Sequence, residues 1–209
     1  MFTEPQIGGL PPGESRAGWP RAGWIEVICG CMFSGKTEEL IRRLNRAIIA
    51  RQTVGIFKPA VDDRYHAHDV VSHNQTRIPS TSVAQASDLL KLTADCRVVG
   101  IDEAQFFDQA IVSICNQLAN SGKRVIVAGL DMDYEGRPFG PMPNLMAVAE
   151  YVTKVHAICA VSGAPASYSF RLTSADDQLQ IGDHTRYEAR SRQHFFRDQK
   201  KNSPPPSEQ

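Results

Sequence analysis

Eight consecutive residues near the start of the chain carry the strongest chemical signal in the sequence. Residues 30–37 read Gly-Cys-Met-Phe-Ser-Gly-Lys-Thr and fit the pattern G-x-x-x-x-G-K-[ST]. The glycines allow backbone N–H groups to surround phosphate oxygens, and a helix that starts near Thr37 would add its positive end. Lys36 can bridge the β- and γ-phosphates, and the Thr37 hydroxyl can bind Mg²⁺. The pattern therefore predicts a phosphate-binding loop (P-loop) for ATP and Mg²⁺.

Two adjacent carboxylates follow an apolar run later in the chain. Asp102 and Glu103 come directly after Val98–Ile101. A lone Asp-Glu pair is more often a solvated strand end, but a P-loop needs a second acidic anchor for its metal. We therefore expect Asp102 to hold Mg²⁺ through water and Glu103 to act on a nucleophile as general base.

Apolar runs and helical patterns alternate around these two motifs. Strands are predicted at 24–30, 53–57, 96–102 and 123–131, and helices at 37–52, 82–94 and 108–122. The strand runs are continuously apolar rather than alternating, which is typical of strands buried on both faces. The pattern predicts an α/β fold, with a P-loop core whose parallel sheet is flanked by helices.

The ends of the chain differ in composition from its middle. Residues 1–22 are rich in Pro and Gly and are expected to be a flexible arm, and the polar, Pro-rich residues 197–209 a disordered tail. The P-loop core is expected at 23–133. A small second lobe is expected at 134–196, with a marginal helix at 147–153 and short hairpins after residue 155.

Composition excludes several functional classes. The chain has 209 residues, with 23 Lys and Arg against 23 Asp and Glu, so it lacks the cationic excess of a general nucleic-acid binder. It has no run of 18 apolar residues and no basic start followed by an apolar stretch, so neither a membrane span nor a secretory signal is expected. Five cysteines without framework spacing predict reduced thiols in a cytoplasmic protein.

Four separated motifs together resemble the type II thymidine kinases. They are the P-loop, KPAVDDRY (58–65), DEAQFF (102–107) and GLDMDYEGRPFGPMPNLMAVAEYVTK (129–154). The resemblance covers about residues 24–196. It implies ATP-dependent phosphorylation of the thymidine 5′-hydroxyl for DNA synthesis, usually by a homotetramer. The balanced charge and the lack of a long apolar run predict no nucleic-acid or membrane partner.

The resemblance also implies a role for each matching residue. Glu103 matches the catalytic proton acceptor, and Thr37 and Asp102 match the Mg²⁺ contacts. The matching ATP and phosphate contacts are Gly30, Cys31, Met32, Phe33, Ser34, Gly35, Lys36, Thr37, Asp62, Arg64, Asp102, Glu103, Ala104 and Gln105. The matching thymidine contacts are Met32, Phe106, Leu130, Tyr134, Phe139, Ile181, Gly182, Asp183 and Tyr187, the last four within the segment 181–187 (the lasso), which covers the base.

The chain departs from the family at the zinc site of the second lobe. The family carries two C-x-x-C pairs there, whereas the matching positions here are Cys159, Ser162, Ser191 and His194. A structural zinc site needs thiolate or imidazole ligands at all four corners, and a serine hydroxyl is a poor ligand. We therefore expect no structural zinc and a lobe held by packing around Phe170, Phe195 and Phe196.

Two other groups of residues and two other functions are less favoured. The irregular spacing of His66, His68, Asp69 and His73 favours a solvated loop over a metal site, and Cys29 and Cys31 are expected to be small apolar fillers. A nucleic-acid motor would need a second motor domain and a basic track. A nucleotide-binding regulator without catalysis would not need the intact Lys36, Asp102 and Glu103.

Overall fold

The computed structural model describes residues 22–60, 69–71, 77–172 and 186–202. Its strands are β1 (Trp24–Cys29), β2 (Val54–Pro59), β3 (Asp69–Val71), β4 (Arg77–Pro79), β5 (Thr81–Val83), β6 (Val98–Ile101), β7 (Arg124–Gly129), β8 (Tyr151–Lys154), β9 (Ala157–Ile158), β10 (Pro165–Ala166), β11 (Tyr168–Arg171) and β12 (Tyr187–Arg190). Its helices are α1 (Lys36–Ile49), α2 (Leu89–Leu92), α3 (Ala110–Asn120), α4 (Met142–Val148) and α5 (Arg192–Asn202).

A six-stranded sheet in the order β5-β2-β6-β7-β1-β8 forms the centre, and all its pairings are parallel. Both faces of the sheet are buried. Ile25 and Val27 of β1 pack in the cluster that includes α3 and α4, whereas Ile28 packs against α1 on the other face. This arrangement confirms the predicted α/β fold and explains why the strand runs are continuously apolar.

Parallel pairing places the chemically important segments at one edge. The P-loop follows β1, Asp102 follows β6, and Leu130 follows β7, and these three strands are neighbours in the sheet. The carboxyl ends of parallel strands share one edge, which is where open α/β sheets bind ligands.

The structure corrects two predicted helices. The predicted helix at 82–94 overlaps β5 (Thr81–Val83), which pairs with β2, and only a short 3-10 turn and α2 are helical there. Within 147–153, α4 ends at Val148 and β8 pairs with β1. In both places a partner strand supplies backbone hydrogen bonds that outweigh a weak local preference.

The second lobe contains two antiparallel pairs, β9 with β10 and β11 with β12, followed by α5. The helix continues to Asn202, so residues 197–202 are helical although the sequence predicted disorder there. Asp198 forms an ion pair with Arg190 at 2.7 Å, and Gln199 donates a hydrogen bond to the carbonyl of Glu135, which anchors these turns. The domain boundaries themselves remain predictions.

The predicted packing of the lobe is present. Phe195 of α5 is fully buried, stacks on Tyr168 with ring centroids 4.5 Å apart, and meets Phe170 edge-on at 6.2 Å. Within the residues described above, no helix is long and apolar enough to cross a membrane.

Candidate active site

The P-loop leaves β1 through a backbone that only glycine tolerates at its first position. Gly30 has φ 152°, and a Cβ there would lie 2.3 Å from the Val155 carbonyl oxygen. Gly35 has φ 82° and directly precedes α1. The two glycines of the sequence motif are therefore explained by close approach and by a left-handed turn.

Lys36 and Thr37 are the first two residues of α1, and their side chains contact the P-loop and the acidic pair, respectively. The Lys36 side chain is buried and its Nζ donates to the Cys31 carbonyl at 2.8 Å. The Thr37 hydroxyl donates to Asp102 Oδ2 at 3.1 Å. The two residues expected to contact the metal, 65 positions apart in sequence, are thus brought together.

This pair fits a magnesium ion. Mg²⁺ prefers oxygen ligands and keeps several waters, so few protein ligands are needed. The Thr37 hydroxyl and the Asp102 carboxylate supply two adjacent oxygens at the end of β6. Burial, and then the neighbouring Glu103 carboxylate, raise the pKa of Asp102.

Glu103 adopts a backbone conformation that is unusual for its residue type. It has φ 51° and ψ 39°, in the left-handed region, and its N–H donates to Asp102 Oδ1 at 3.0 Å. A non-glycine residue in this region is strained and is held by its surroundings, a condition that clusters at functional sites. The side chain is half-buried, as a group that must meet a substrate should be.

The residues expected to contact the thymine base share one property. Those that precede the lasso in the chain are all half-buried rather than in the core: Met32, Phe106, Leu130, Tyr134 and Phe139. Phe106 meets Phe139 edge-on at 5.6 Å. Aromatic edges that remain partly open are typical of a pocket wall.

Tyr187 lies on the same side as Tyr134. It pairs across the strands with Arg171, whose guanidinium lies 5.0 Å from the centre of the Tyr134 ring. Burial raises the pKa of the Tyr187 hydroxyl, so the group stays neutral. Sequence reasoning missed Arg171, although its alternation with Phe170 in a predicted hairpin is a signal that it faces the opposite side.

Sequence reasoning also missed a link between the second lobe and the P-loop. The Ser169 hydroxyl accepts the Met32 N–H at 3.0 Å, and the Cys31 thiol donates to the Ala166 carbonyl at 3.4 Å. Cys31 is 1% exposed and packs with small residues of the lobe, which confirms its expected role as an apolar filler. The lobe therefore holds the first turn of the P-loop.

Several expected site residues lie outside the described residues. These are Asp62, Arg64, Ile181, Gly182 and Asp183. Their assigned roles stay predictions. The histidines 66, 68 and 73, for which a solvated loop and not a site was expected, lie outside the described residues too. Ala104 and Gln105 are described, and both are buried behind Glu103.

The four positions that match the family's zinc ligands do meet in space. His194 Nδ1 lies 2.9 Å from the Ser191 hydroxyl and 3.9 Å from the Cys159 sulfur. Burial acts to raise the pKa of Cys159, but donation from the Ser162 hydroxyl and from backbone N–H groups outweighs it and lowers the value to about 6.

This set of donors does not fit a structural zinc ion. Two of the four positions present hydroxyls, and one hydroxyl occupies the histidine nitrogen that would bind the metal. Among the residues that the structure describes, no group of three or more His, Cys, Asp or Glu side chains could hold a metal ion. The absence of zinc remains a prediction for metal analysis.

Comparison with known proteins agrees with the geometry. The family model described as thymidine kinase matches residues 23–195. A thymidine kinase of Rhodothermus sp. (strain ITI 518) is 63% identical over 173 residues, which cover 83% of this chain and 81% of the relative. Thymidine kinases of Bacteroides fragilis (56% over 177 residues; 85% of this chain, 89% of the relative) and Porphyromonas gingivalis W83 (54% over 189 residues; 90% and 91%) are also similar. With a matching family model over most of its length and close relatives along nearly all of it, the chain belongs to the thymidine kinase family.

Proposed function

We propose that this enzyme transfers the γ-phosphoryl group of ATP to the 5′-hydroxyl of thymidine, with Mg²⁺ held by Thr37 and Asp102. The observation that carries the proposal is the contact between the P-loop and the acidic pair. Thr37 reaches Asp102 at 3.1 Å, and Glu103 follows in a strained conformation. Thymidine is assigned as the phosphoryl acceptor because the chain belongs to the thymidine kinase family.

The residues divide the chemistry among them. Lys36 leaves the Cys31 carbonyl to neutralise charge on the transferring phosphoryl group, and the P-loop N–H groups orient it. Bound Mg²⁺ supplies further neutralisation of phosphate charge. Glu103 accepts the proton of the attacking hydroxyl. The half-buried ring of Phe106 and its neighbours hold the base.

Two further features belong to the proposal. The enzyme is expected to be a homotetramer, which light scattering on the purified protein measures directly. All five cysteines are unpaired, which favours action in the reducing cytoplasm.

The test is an assay of ATP-dependent phosphorylation over a panel of nucleosides. Thymidine and deoxyuridine should be phosphorylated and deoxycytidine rejected by about 10⁴-fold, because a site that pairs with the thymine edge leaves polar groups unpaired against cytosine. A kcat/KM for deoxycytidine close to that for thymidine would overturn the assigned base recognition. ATP binding without any nucleoside turnover would favour the non-catalytic regulator instead.

A further inference from the structure

The side-chain amide of Gln105 connects Glu103, the proposed general base, to Leu130 in the proposed thymine pocket. Its Nε2 donates to Glu103 Oε2 at 2.5 Å, and its Oε1 accepts the backbone N–H of Leu130 at 2.9 Å. Gln105 is 3% exposed, so the amide end of both hydrogen bonds is shielded from water, while Glu103 and Leu130 are half-buried. Shielding strengthens each bond and raises the penalty for leaving either partner unpaired.

The chemistry of the two partners fixes the orientation of this amide. The Leu130 N–H can only donate, so it must face the amide oxygen. The Glu103 carboxylate is an acceptor, so it must face the amide nitrogen. A rotation of the amide by 180° would therefore break both hydrogen bonds at once. The Gln105 side chain has only one orientation in which both hydrogen bonds form.

Two glycines lie against Gln105, Gly129 beside its side-chain amide and Gly140 beside its backbone. A Cβ on Gly129 would lie 2.8 Å from Gln105 Oε1, and a Cβ on Gly140 would lie 2.3 Å from the Gln105 carbonyl oxygen. Gly140 also has φ 50°. At Gly140 the contact is with backbone, so a larger residue does not fit there. At Gly129 the nearest atoms are side-chain ends, Met142 Sδ at 2.7 Å and Gln105 Oε1, so a larger residue would displace the amide or Met142.

We propose that Gln105 is a positioning residue that orients Glu103 for proton transfer and ties that orientation to the Leu130 side of the thymine pocket. The inference rests on the proposed function and gives Gln105 a role through Glu103 instead of direct contact with phosphate. Glu103 is half-buried, and a carboxylate that is partly open to solvent needs a fixed partner to hold one orientation. A fixed donor holds one oxygen and leaves the other for the hydroxyl of the substrate.

Two substitutions separate the two hydrogen bonds. Gln105→Glu keeps the oxygen that accepts from Leu130 but removes the donor to Glu103 and places a like charge beside it. Gln105→Met keeps the approximate size of the side chain and removes both bonds. We expect both variants to lower kcat by about 10- to 100-fold, with KM for ATP near the wild-type value. Only Gln105→Met should also raise KM for thymidine, because it leaves the Leu130 N–H unpaired.

The decisive measurement is the effect of Gln105→Met on kcat in an enzyme whose proposed general base, Glu103, has already been replaced. In a Glu103→Gln background, Gln105→Met should lower kcat little further, since a residue that acts through Glu103 has nothing left to position. An equal fold-loss in both backgrounds would overturn the proposal, as would an unchanged kcat in either Gln105 variant. If Gln105→Met fails to fold, the kcat of Gln105→Glu alone decides.

Thr93→Val is the matched control. Thr93 is fully buried, and its hydroxyl donates to the Leu89 carbonyl at 2.6 Å. Its carbonyl accepts from Lys123, which precedes β7 at the sheet edge opposite the site. We expect this control to lower the melting temperature and to leave kcat unchanged. The unsubstituted enzyme is assayed alongside, so absent thymidine phosphorylation would count against the proposed function rather than against the role of Gln105.

Discussion

Replacement of Phe195 by alanine should lower the free energy of unfolding by about 3–5 kcal/mol, the usual range for a fully buried aromatic side chain. Phe195 has no exposed surface, stacks on Tyr168 at 4.5 Å and meets Phe170 at 6.2 Å. A Cβ on Gly136 would lie only 3.0 Å from the ring, so the backbone there also packs closely on Phe195. Truncation would therefore leave a cavity that its neighbours cannot easily fill.

The matched control is Phe196→Ala. Phe196 is 42% exposed and contacts Tyr168 at the ring edge at 5.5 Å, so its removal should lower the free energy of unfolding by about 1 kcal/mol. Urea unfolding of both variants, with and without a zinc chelator, measures the difference. A decrease of less than about 1 kcal/mol in the free energy of unfolding of Phe195→Ala would contradict this account of the lobe. A larger destabilisation of the unsubstituted protein by the chelator than by Phe195→Ala would also contradict it.

Three further outcomes are expected. Elemental analysis should find no zinc in the active protein, because serines stand at two of the four family positions; about one zinc per chain would show that other ligands complete the site. The apparent affinity for Mg²⁺·ATP should rise between about pH 6 and pH 8, because the pKa of Asp102 is raised and only its ionised form binds a cation. This rise should be smaller in Asp102→Asn. Identical pH profiles for the two proteins would contradict this expectation. Glu26→Gln should lower the free energy of unfolding by about 3–5 kcal/mol while kcat is kept, because buried Glu26 lies 2.8 Å from Arg43 and 2.6 Å from Arg124. Glu135→Gln, at an exposed ion pair with Arg137, should lower it by less than about 1 kcal/mol. Equal losses in the two variants would refute the role of burial.

The fold and the contact between the P-loop and the acidic pair could be predicted because their signals are local, whereas the thymine-pocket residues were assigned only through the resemblance to a family. The P-loop, the apolar strands and the Asp102-Glu103 pair are each contained in a few consecutive residues. Parallel pairing then brings their ends together without further information, and the contact between Thr37 and Asp102 follows from it. Such features depend on backbone geometry that short patterns encode.

The errors fell where a distant partner decides the local structure. Residues 81–83 and 151–154 are strands because β2 and β1 offer them backbone hydrogen bonds. Residues 197–202 continue α5, where Asp198 binds Arg190 of β12 and Gln199 binds the Glu135 carbonyl, and neither contact is visible in the local sequence. The role of Gln105 likewise depends on Leu130, 25 positions away, and no local pattern indicates that contact.

The rate of γ-phosphoryl transfer to thymidine in a single turnover, compared between the unsubstituted enzyme and Glu103→Gln, tests the central claim most directly. Saturating ATP and thymidine isolate the chemical step from binding. We expect the unsubstituted enzyme to form thymidine monophosphate and Glu103→Gln to be about 10²–10⁴-fold slower with ATP binding retained, because the amide cannot accept a proton. A rate in Glu103→Gln close to that of the unsubstituted enzyme, or no phosphorylation of thymidine by either protein, would contradict the account.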